Sequence, residues 1–116
     1  MHIDDLSTPA LWADVDVLKT NIAEMAQRLP GNRLRPHVKA HKTTALARLQ
    51  HDAGHHGFTC ATSREVMGLA NAGLGADLLL ANETVDASRL SAMATSNARV
   101  TVAVDSVETI DAAAHA

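Results

Sequence analysis

The stretch FTCATSREVMGLANAGLGADLLLA, residues 58–81, decides the fold. It begins with a short apolar strand at Phe58–Ala61 and ends with a second apolar strand at Asp77–Ala81. Between the two strands, apolar residues recur at the spacing of an amphipathic helix. A strand, a helix and a strand in this order predict a parallel βαβ unit, in which the helix covers one face of the sheet.

The helix between these strands carries its own start and stop signals. Thr62 and Glu65 match a capping box, in which the hydroxyl and the carboxylate satisfy free backbone amides of the first turn. Val66 and Leu69 form the face that we expect to be buried, and Gly73 stands where the helix should end.

The alternation of strands and helices extends over the whole chain. Three further strands are predicted at Ala10–Val15, Leu34–Lys39 and Val100–Val104. The other helices are marked by the apolar series Leu18, Ile22, Met25 and Leu29 before Pro30-Gly31, by Thr43 or Thr44 as an N-cap with Gly54 near the end, by Val85, Leu90 and Met93, and by Ser106 as an N-cap before Ile110. This rhythm suits an open doubly wound sheet or a (β/α)8 barrel. Because a closed barrel takes about 200–250 residues, the barrel interpretation makes this chain about half of one.

Composition bounds the class of protein. The chain has 116 residues, of which 47% are hydrophobic and 20% charged, as in one globular domain with a moderate core. A net charge of −3 and an aromatic content of 2% argue against a nucleic-acid partner. No apolar run approaches the roughly 20 residues of a membrane span, and the first residues lack the features of a secretory signal. With Cys60 as the single cysteine, these features predict a cytoplasmic location.

The segment LRPHVKAHK, residues 34–42, carries the chemistry. On a strand, Arg35, His37 and Lys39 share one face. Three basic groups there are costly to bury unless an anion or a polar site meets them, and barrel enzymes build their sites at the carboxyl ends of the strands. Lys39 lies nearest that end, so it is a candidate for Schiff-base formation, helped by neighbouring cations and desolvation, which lower the pKa of a lysine. The alternative is a salt-bridged strand end with a solvent-facing lysine.

The order and spacing of four segments point to a known family. The segments are Thr8-Pro9-Ala10-Leu11, Arg35-Pro36-His37-Val38-Lys39-Ala40-His41-Lys42, Thr59-Cys60-Ala61-Thr62 and Leu79-Leu80-Ala81-Asn82-Glu83. Together they resemble the D-threonine aldolases and D-serine dehydratases of the alanine racemase-like group. The resemblance runs over nearly the whole chain. The Arg-Pro-His-x-Lys-x-His-Lys core is its specific part.

The resemblance implies an α/β enzyme that uses pyridoxal 5′-phosphate (PLP). The family has a TIM-like (β/α)8 PLP-binding barrel of the alanine racemase N-terminal type, followed by a mostly β domain, and usually works as a homodimer. Residues 1–116 are then the N-terminal part of an incomplete barrel domain, without the C-terminal β domain, and we expect this piece alone to be inactive. The implied enzyme is a lyase of 3-hydroxy D-amino acids, either an aldolase or a dehydratase. A divalent metal is expected only in the full-length protein.

The resemblance also implies roles for individual residues. Lys39 corresponds to the lysine that holds the cofactor, whereas Lys42 faces solvent or phosphate. Arg35, His37 and Thr59 are expected to border the cofactor. No metal ligand is expected in this chain.

Other polar residues have alternative explanations. Asn82 and Glu83 follow a strand at the correct end for a site, but they equally suit the cap of the next helix. His51, His55 and His56 fall at a helix end and in a loop, where solvated or helix-end histidines are expected rather than a metal site.

Two other classes of function stay open at this point. One is a PLP-holding barrel fragment without turnover, and the other is a βαβ domain of unrelated function in which Lys39 is structural.

Overall fold

A computed structural model describes residues 2–116 and places three strands and five α-helices among them. The strands are β1 (Gly57–Cys60), β2 (Asp77–Leu80) and β3 (Val100–Val102). The helices are α1 (Val15–Arg28), α2 (Thr44–Asp52), α3 (Ser63–Asn71), α4 (Ala87–Ala94) and α5 (Val107–Ala114). None of these helices between residues 2 and 116 combines the length and apolar character that crossing a membrane requires.

The strands form one parallel sheet in the order β1–β2–β3. Gly57 pairs with Asp77 at one end of β1, and Leu80 pairs with Val102 at the far end of β2. Because α3 joins β1 to β2 and α4 joins β2 to β3, the predicted parallel βαβ units are confirmed.

The two faces of the sheet differ in burial because side chains alternate along a strand. One face packs under the helices and supplies the enclosed core residues Phe58, Cys60, Leu78 and Leu80. On the opposite face, Thr59 and Leu79 are only partly buried and Thr101 is exposed. In a barrel this second face points inward.

The predicted N-caps and the glycine stop signals of the helices are confirmed. Thr62 Oγ1 accepts a hydrogen bond of 3.2 Å from the Glu65 N–H, and Gly73 follows α3 with φ at +72°. Such a left-handed conformation suits glycine because it has no Cβ to clash. The other α-helices have side-chain caps from Asp14, Thr43, Asp86 and Ser106.

The predicted strand Leu34–Lys39 is wrong in its extent. Only His37 pairs with the sheet, through an isolated parallel bridge to Thr59, and Val38–Ala40 forms a 3-10 turn. Pro36 has no N–H to give to a ladder, and His37 Nδ1 accepts the Lys39 N–H at 3.3 Å, which favours the turn over further extension. The segment lies beside β1 through this one bridge.

The predicted strand Ala10–Val15 is wrong, because residues 10–14 form no strand and α1 begins at Val15. Asp14 accepts hydrogen bonds from the N–H groups of Asp16 and Val17, at 2.9 and 3.0 Å. The short polar side chain therefore starts a helix where the apolar pattern indicated a strand. The last strand is also shorter than predicted and ends at Val102.

Helix α1 packs loosely on the rest of the molecule. None of its residues is fully buried. Its apolar stripe, with Leu18 and Ile22, lines a cavity of about 330 Å³ whose opposite wall includes Pro36 and His55. The helix is therefore correctly predicted, and its apolar stripe is only partly buried.

Candidate active site

The pairing of the strands defines rows of residues across the sheet. One row consists of His37, Thr59, Leu79 and Thr101. The previous row on the same face, two residues toward the amino ends of the strands, contains Gly57 and Asp77. Beyond the His37 row, toward the carboxyl ends, the chain leaves the sheet at Lys39.

Lys39 lies in the turn Val38–Ala40, directly after the bridge between His37 and Thr59. Val38 is buried in the core and anchors the turn, whereas Lys39 is exposed. Within residues 2–116, the Lys39 side chain has no hydrogen-bond or ion-pair partner. Its amine is therefore free to react with a group that arrives at this end of the sheet.

Lys42, three residues later, is engaged. Its Nζ donates to Glu65 Oε1 at 2.7 Å, and the Glu65 side chain is only 8% exposed. The Lys42 backbone N–H also closes the turn onto the Val38 carbonyl at 2.7 Å. Its φ of +50° lies in the left-handed region, which is uncommon for a residue with a side chain. The two lysines of the motif thus differ, since Lys39 is free and Lys42 is held.

Glu65 joins three parts of the chain. One carboxylate oxygen accepts from Lys42, and the other accepts from the Ala61 N–H at 2.7 Å. The predicted capping box is therefore modified. The Glu65 carboxylate bonds the N–H of Ala61, the residue before the cap, and not the N–H of the cap residue Thr62. Burial opposes ionisation of Glu65, but the hydrogen bonds from Lys42, Ala61 and Thr62 outweigh it and hold the pKa of the carboxyl below its usual value.

His37 and His41 of the motif make the same kind of hydrogen bond, each to a backbone N–H two residues later. His37 Nδ1 accepts the Lys39 N–H at 3.3 Å, and His41 Nδ1 accepts the Thr43 N–H at 3.2 Å. Because Nδ1 accepts in both rings, the nitrogen left to donate a hydrogen bond is Nε2. His41 Nε2 is buried without a hydrogen-bond partner among residues 2–116. This N–H can therefore donate to an oxygen acceptor.

Arg35 lies in a different environment from Lys39. Its guanidinium forms an ion pair with Asp77, and both side chains are about one-third exposed, at 34% and 33%. By the register of the His37 bridge, Arg35 falls in the row of Gly57 and Asp77, toward the amino ends of the strands. Gly57 leaves room for this pair, because a Cβ there would lie 3.0 Å from Asp77 Oδ2.

The remaining residues of interest lie at the carboxyl end but differ in their contacts. Thr59 shares the row of His37 and is partly buried. Asn82 Nδ2 donates to the Ala61 carbonyl at 3.3 Å, so Asn82 links the ends of β1 and β2. Glu83 is exposed. The possibility that Asn82 or Glu83 caps the next helix is wrong, because Asp86 caps α4.

The histidines of residues 51–56 do not form a metal site. His55 is 1% exposed and its Nδ1 donates to the Gly31 carbonyl at 3.1 Å, so it is buried rather than solvated. His51 and His56 stack edge to face with ring centroids 4.5 Å apart. Across residues 2–116, no group of three or more His, Cys, Asp or Glu side chains is placed to hold a metal ion.

A cavity of about 430 Å³ lies beside the motif, between α2 and α3, and its walls include Lys42, Thr62 and Glu65. Lys39, His37 and Thr59 are not among its lining residues. Lys39 instead lies exposed in the turn that follows the His37–Thr59 bridge, so this cavity is not the candidate site.

Sequence reasoning did not identify Asp77 as the partner of Arg35 or Glu65 as the partner of Lys42. A signal for the first pair exists in retrospect. Glycine and aspartate open consecutive parallel strands, and a glycine beside a basic residue leaves space for a charge on the next strand. Glu65 was identified for its cap alone, because the sequence gives no indication that Lys42 folds back over α3.

The chain matches the alanine racemase N-terminal domain family over residues 13–116. It is 34% identical to a 3-hydroxy-D-aspartate aldolase of Paracoccus denitrificans (strain Pd 1222) over 116 residues, which is 95% of this chain and 30% of the aldolase. It is 47% identical over 62 residues to a D-threo-3-hydroxyaspartate dehydratase of Delftia sp. (strain HT23), covering 52% of this chain and 16% of the dehydratase.

Among solved structures, the crystal structure of D-threonine aldolase from Filomicrobium marinum superposes with a TM-score of 0.81 at 33% identity. The match covers 96% of this chain and 31% of the aldolase. A variant of a D-threo-3-hydroxyaspartate dehydratase gives the same TM-score of 0.81 at 34% identity, over 95% of this chain and 29% of the dehydratase. The chain thus spans less than one-third of the length of each of these relatives, and the predicted partial PLP-barrel fold and family resemblance are confirmed.

Proposed function

The chain belongs to the alanine racemase N-terminal domain family, and from that premise we propose that it forms the cofactor-binding part of a PLP-dependent lyase. The proposed substrates are 3-hydroxy D-amino acids. This class is supported by the names of its relatives, which are a D-threonine aldolase, a 3-hydroxy-D-aspartate aldolase and a D-threo-3-hydroxyaspartate dehydratase.

The observation that carries the proposal is the contrast between the two lysines of the motif. Lys39 is exposed and unpaired within residues 2–116, at the carboxyl end of a parallel sheet, while Lys42 is tied to a buried carboxylate. Barrel enzymes place their reacting groups at this end. An amine that is not held in an ion pair can approach and attack the aldehyde of an incoming group.

The neighbouring residues fit the proposed cofactor. Lys39 Nζ would hold the aldehyde carbon of PLP, and PLP when bound supplies an electron sink for the substrate Cα. His37 and Thr59 lie in the row next to Lys39 and would border the cofactor. The buried Nε2–H of His41 lacks a partner in the described part of the chain, which suits a ligand rich in oxygen acceptors. Arg35, expected at the cofactor from the sequence, is better assigned to stabilising the amino end of the sheet through Asp77.

The remaining parts of the proposal concern the whole protein. We propose a homodimeric enzyme, in which residues 1–116 form the first part of the barrel and further strands and a β domain complete the site. A divalent metal would then be bound outside this chain, since residues 2–116 contain no suitable group of ligands. The buried, free thiol of Cys60 is consistent with a reducing compartment such as the cytoplasm.

Reductive labelling tests the cofactor assignment. The complete gene product is incubated with PLP, reduced with borohydride, digested and analysed by mass spectrometry. A pyridoxyl group is expected on Lys39, and the Lys19→Ala variant, which removes an exposed lysine of α1, is the matched control that should keep it. A folded protein with no pyridoxyl group on Lys39 would refute the assignment.

Turnover tests the enzyme class. The complete gene product, loaded with PLP but not treated with borohydride, is assayed with D-threonine, D-serine and 3-hydroxy-D-aspartate, with the L-isomers as controls. Glycine and an aldehyde would identify an aldolase, whereas ammonia and a 2-oxo acid would identify a dehydratase. Labelling of Lys39 without turnover of any of these substrates would indicate a PLP-binding protein that is not a lyase.

A further inference from the structure

We propose that Glu65 is a positioning residue that fixes the turn carrying Lys39 against the end of β1. This inference rests on the proposed role of Lys39 as the lysine that holds the cofactor. Glu65 itself contacts neither the reacting amine nor its neighbours on the inward face, so it acts through Lys42.

The turn has few connections to the rest of the molecule. Upstream, His37 makes a single bridge to Thr59, and the Thr59 N–H donates to the Pro36 carbonyl at 2.8 Å. Within residues 38–42, the backbone hydrogen bonds are internal, from His41 and Lys42 to the Val38 carbonyl at 3.2 and 2.7 Å. Ladder hydrogen bonds therefore do not set the direction in which Lys39 points.

Two side chains of the turn reach other elements. Val38 packs into the core, and Lys42 donates to Glu65. Of these, the Lys42–Glu65 pair is the polar link between residues 38–42 and another element in the described part of the chain. An apolar side chain fixes depth, whereas a hydrogen-bonded ion pair also fixes orientation, because its geometry is directional.

Glu65 is well suited to this role because its carboxylate is itself fixed. Its side chain is nine-tenths buried, it lies in the first turn of the helix capped by Thr62, and its second oxygen accepts from the Ala61 N–H at 2.7 Å. Ala61 directly follows β1, so the carboxylate relates the turn to the strand that neighbours Lys39. At the other end of this link, Lys42 has a left-handed backbone conformation, and its ion pair with Glu65 helps to hold that conformation in place.

The test is the rate at which PLP and borohydride modify Lys39 in the complete gene product, measured across pH 6–10. Glu65→Gln leaves one oxygen to serve two donors, so one of the two links is lost. Lys42→Met removes the exposed partner and serves if the buried Glu65 variant does not fold. We expect each to slow modification of Lys39 on the order of 10-fold and to alter its pH profile, because misplacement of a reacting group is costly. Lys42→Arg keeps the charge and should restore the rate to within about twofold.

A control separates positioning from a general loss of stability. Ser106→Ala removes the cap of α5, whose sequence is remote from the turn, and it should leave the modification rate unchanged. Unaltered rates in folded Glu65→Gln and Lys42→Met, or an equal decrease in Ser106→Ala, would overturn the positioning role alone. No modification of Lys39 in the unaltered protein would overturn the proposed function and this inference together.

Discussion

The two ends of the sheet differ in how their charges are arranged. At the amino end, Arg35 and Asp77 neutralise each other across Gly57. At the carboxyl end, Lys39 is left without a partner within residues 2–116, although a carboxylate, Glu65, lies close enough to hold Lys42. Parallel α/β proteins commonly divide their strand ends in this way, with stability at one end and reacting groups at the other. The comparison indicates that a charged residue is a candidate for chemistry when its partner is missing, rather than because it is charged.

The largest expected effect comes from Lys39→Ala at the carboxyl end. We expect this substitution to abolish pyridoxyl labelling and to lower turnover by on the order of 10³-fold or more, because the covalent link to the cofactor is lost. The free energy of unfolding should change by less than about 0.5 kcal/mol, since the side chain is exposed and unpaired. Initial rates of turnover check the first expectation, and urea denaturation checks the second. A large loss of stability would contradict the division between the ends.

Cys60 tests whether only one face of the sheet is open at the carboxyl end, because it lies near that end but on the helix-covered face. Burial, and then the nearby Glu65 carboxylate, raise the pKa of this thiol to about 12. Compared with a free thiol, whose pKa is 9.0, Cys60 at pH 8 should form on the order of 10³-fold less thiolate. Alkylation by iodoacetamide should therefore be at least that much slower in native protein than in urea. Rapid native alkylation would mean that this face is open as well.

At the amino end, Gly57→Ala should destabilise the fold by about 1–3 kcal/mol. Its new Cβ would lie 3.0 Å from Asp77 Oδ2 and push that carboxylate away from Arg35. Gly68→Ala in α3 is the matched control. Its Cβ would meet nothing within 4 Å, so the same substitution should raise stability by about 0.5–1 kcal/mol through helix propensity. Thermal or urea unfolding checks both, and destabilisation of equal size in the two variants would contradict the role of the Arg35–Asp77 pair.

The smallest effect is the dependence of stability on acid. The pKa of Glu65 is lower in the folded protein than its usual value, so the ionised carboxylate stabilises the fold above the ordinary glutamate pKa. This contribution is lost as the pH falls from about 4.5 through the lower folded pKa. The difference in unfolding free energy between pH 7 and pH 3 should therefore be smaller in Glu65→Gln than in the unaltered protein. Identical pH profiles would mean that Glu65 is not held in its ionised form.

Most of the helices and the order of the strands could be predicted because their signals are local. Thr43 and Ser106 cap helices that begin where expected, and Phe58 belongs to a strand because apolar residues run between clear boundaries. The strand at 10–15 was predicted wrongly because an apolar run says nothing about a neighbouring strand to pair with. The Leu34–Lys39 strand was predicted too long because Pro36 and His37 favour a turn over a ladder.

The candidate site divides in the same way. The position of Lys39 near the carboxyl ends of the strands could be predicted from the order of basic residues and the parallel topology, whereas its role at the cofactor is implied by the resemblance at residues 35–42 and stays a prediction. The partners of its neighbours could not be predicted. Asp77 lies 42 positions from Arg35, and Glu65 lies 23 positions from Lys42.

The sequence by itself thus determined the βαβ pattern, the helix caps and the lysine that follows a strand, because each depends on residues that are close along the chain. Only the tertiary structure decided which charges are neutralised and which amine is left free. The physical reason is that ion pairs form between side chains brought together by strand pairing and helix packing, and their strength depends on distance and burial. Neither quantity is encoded in local spacing.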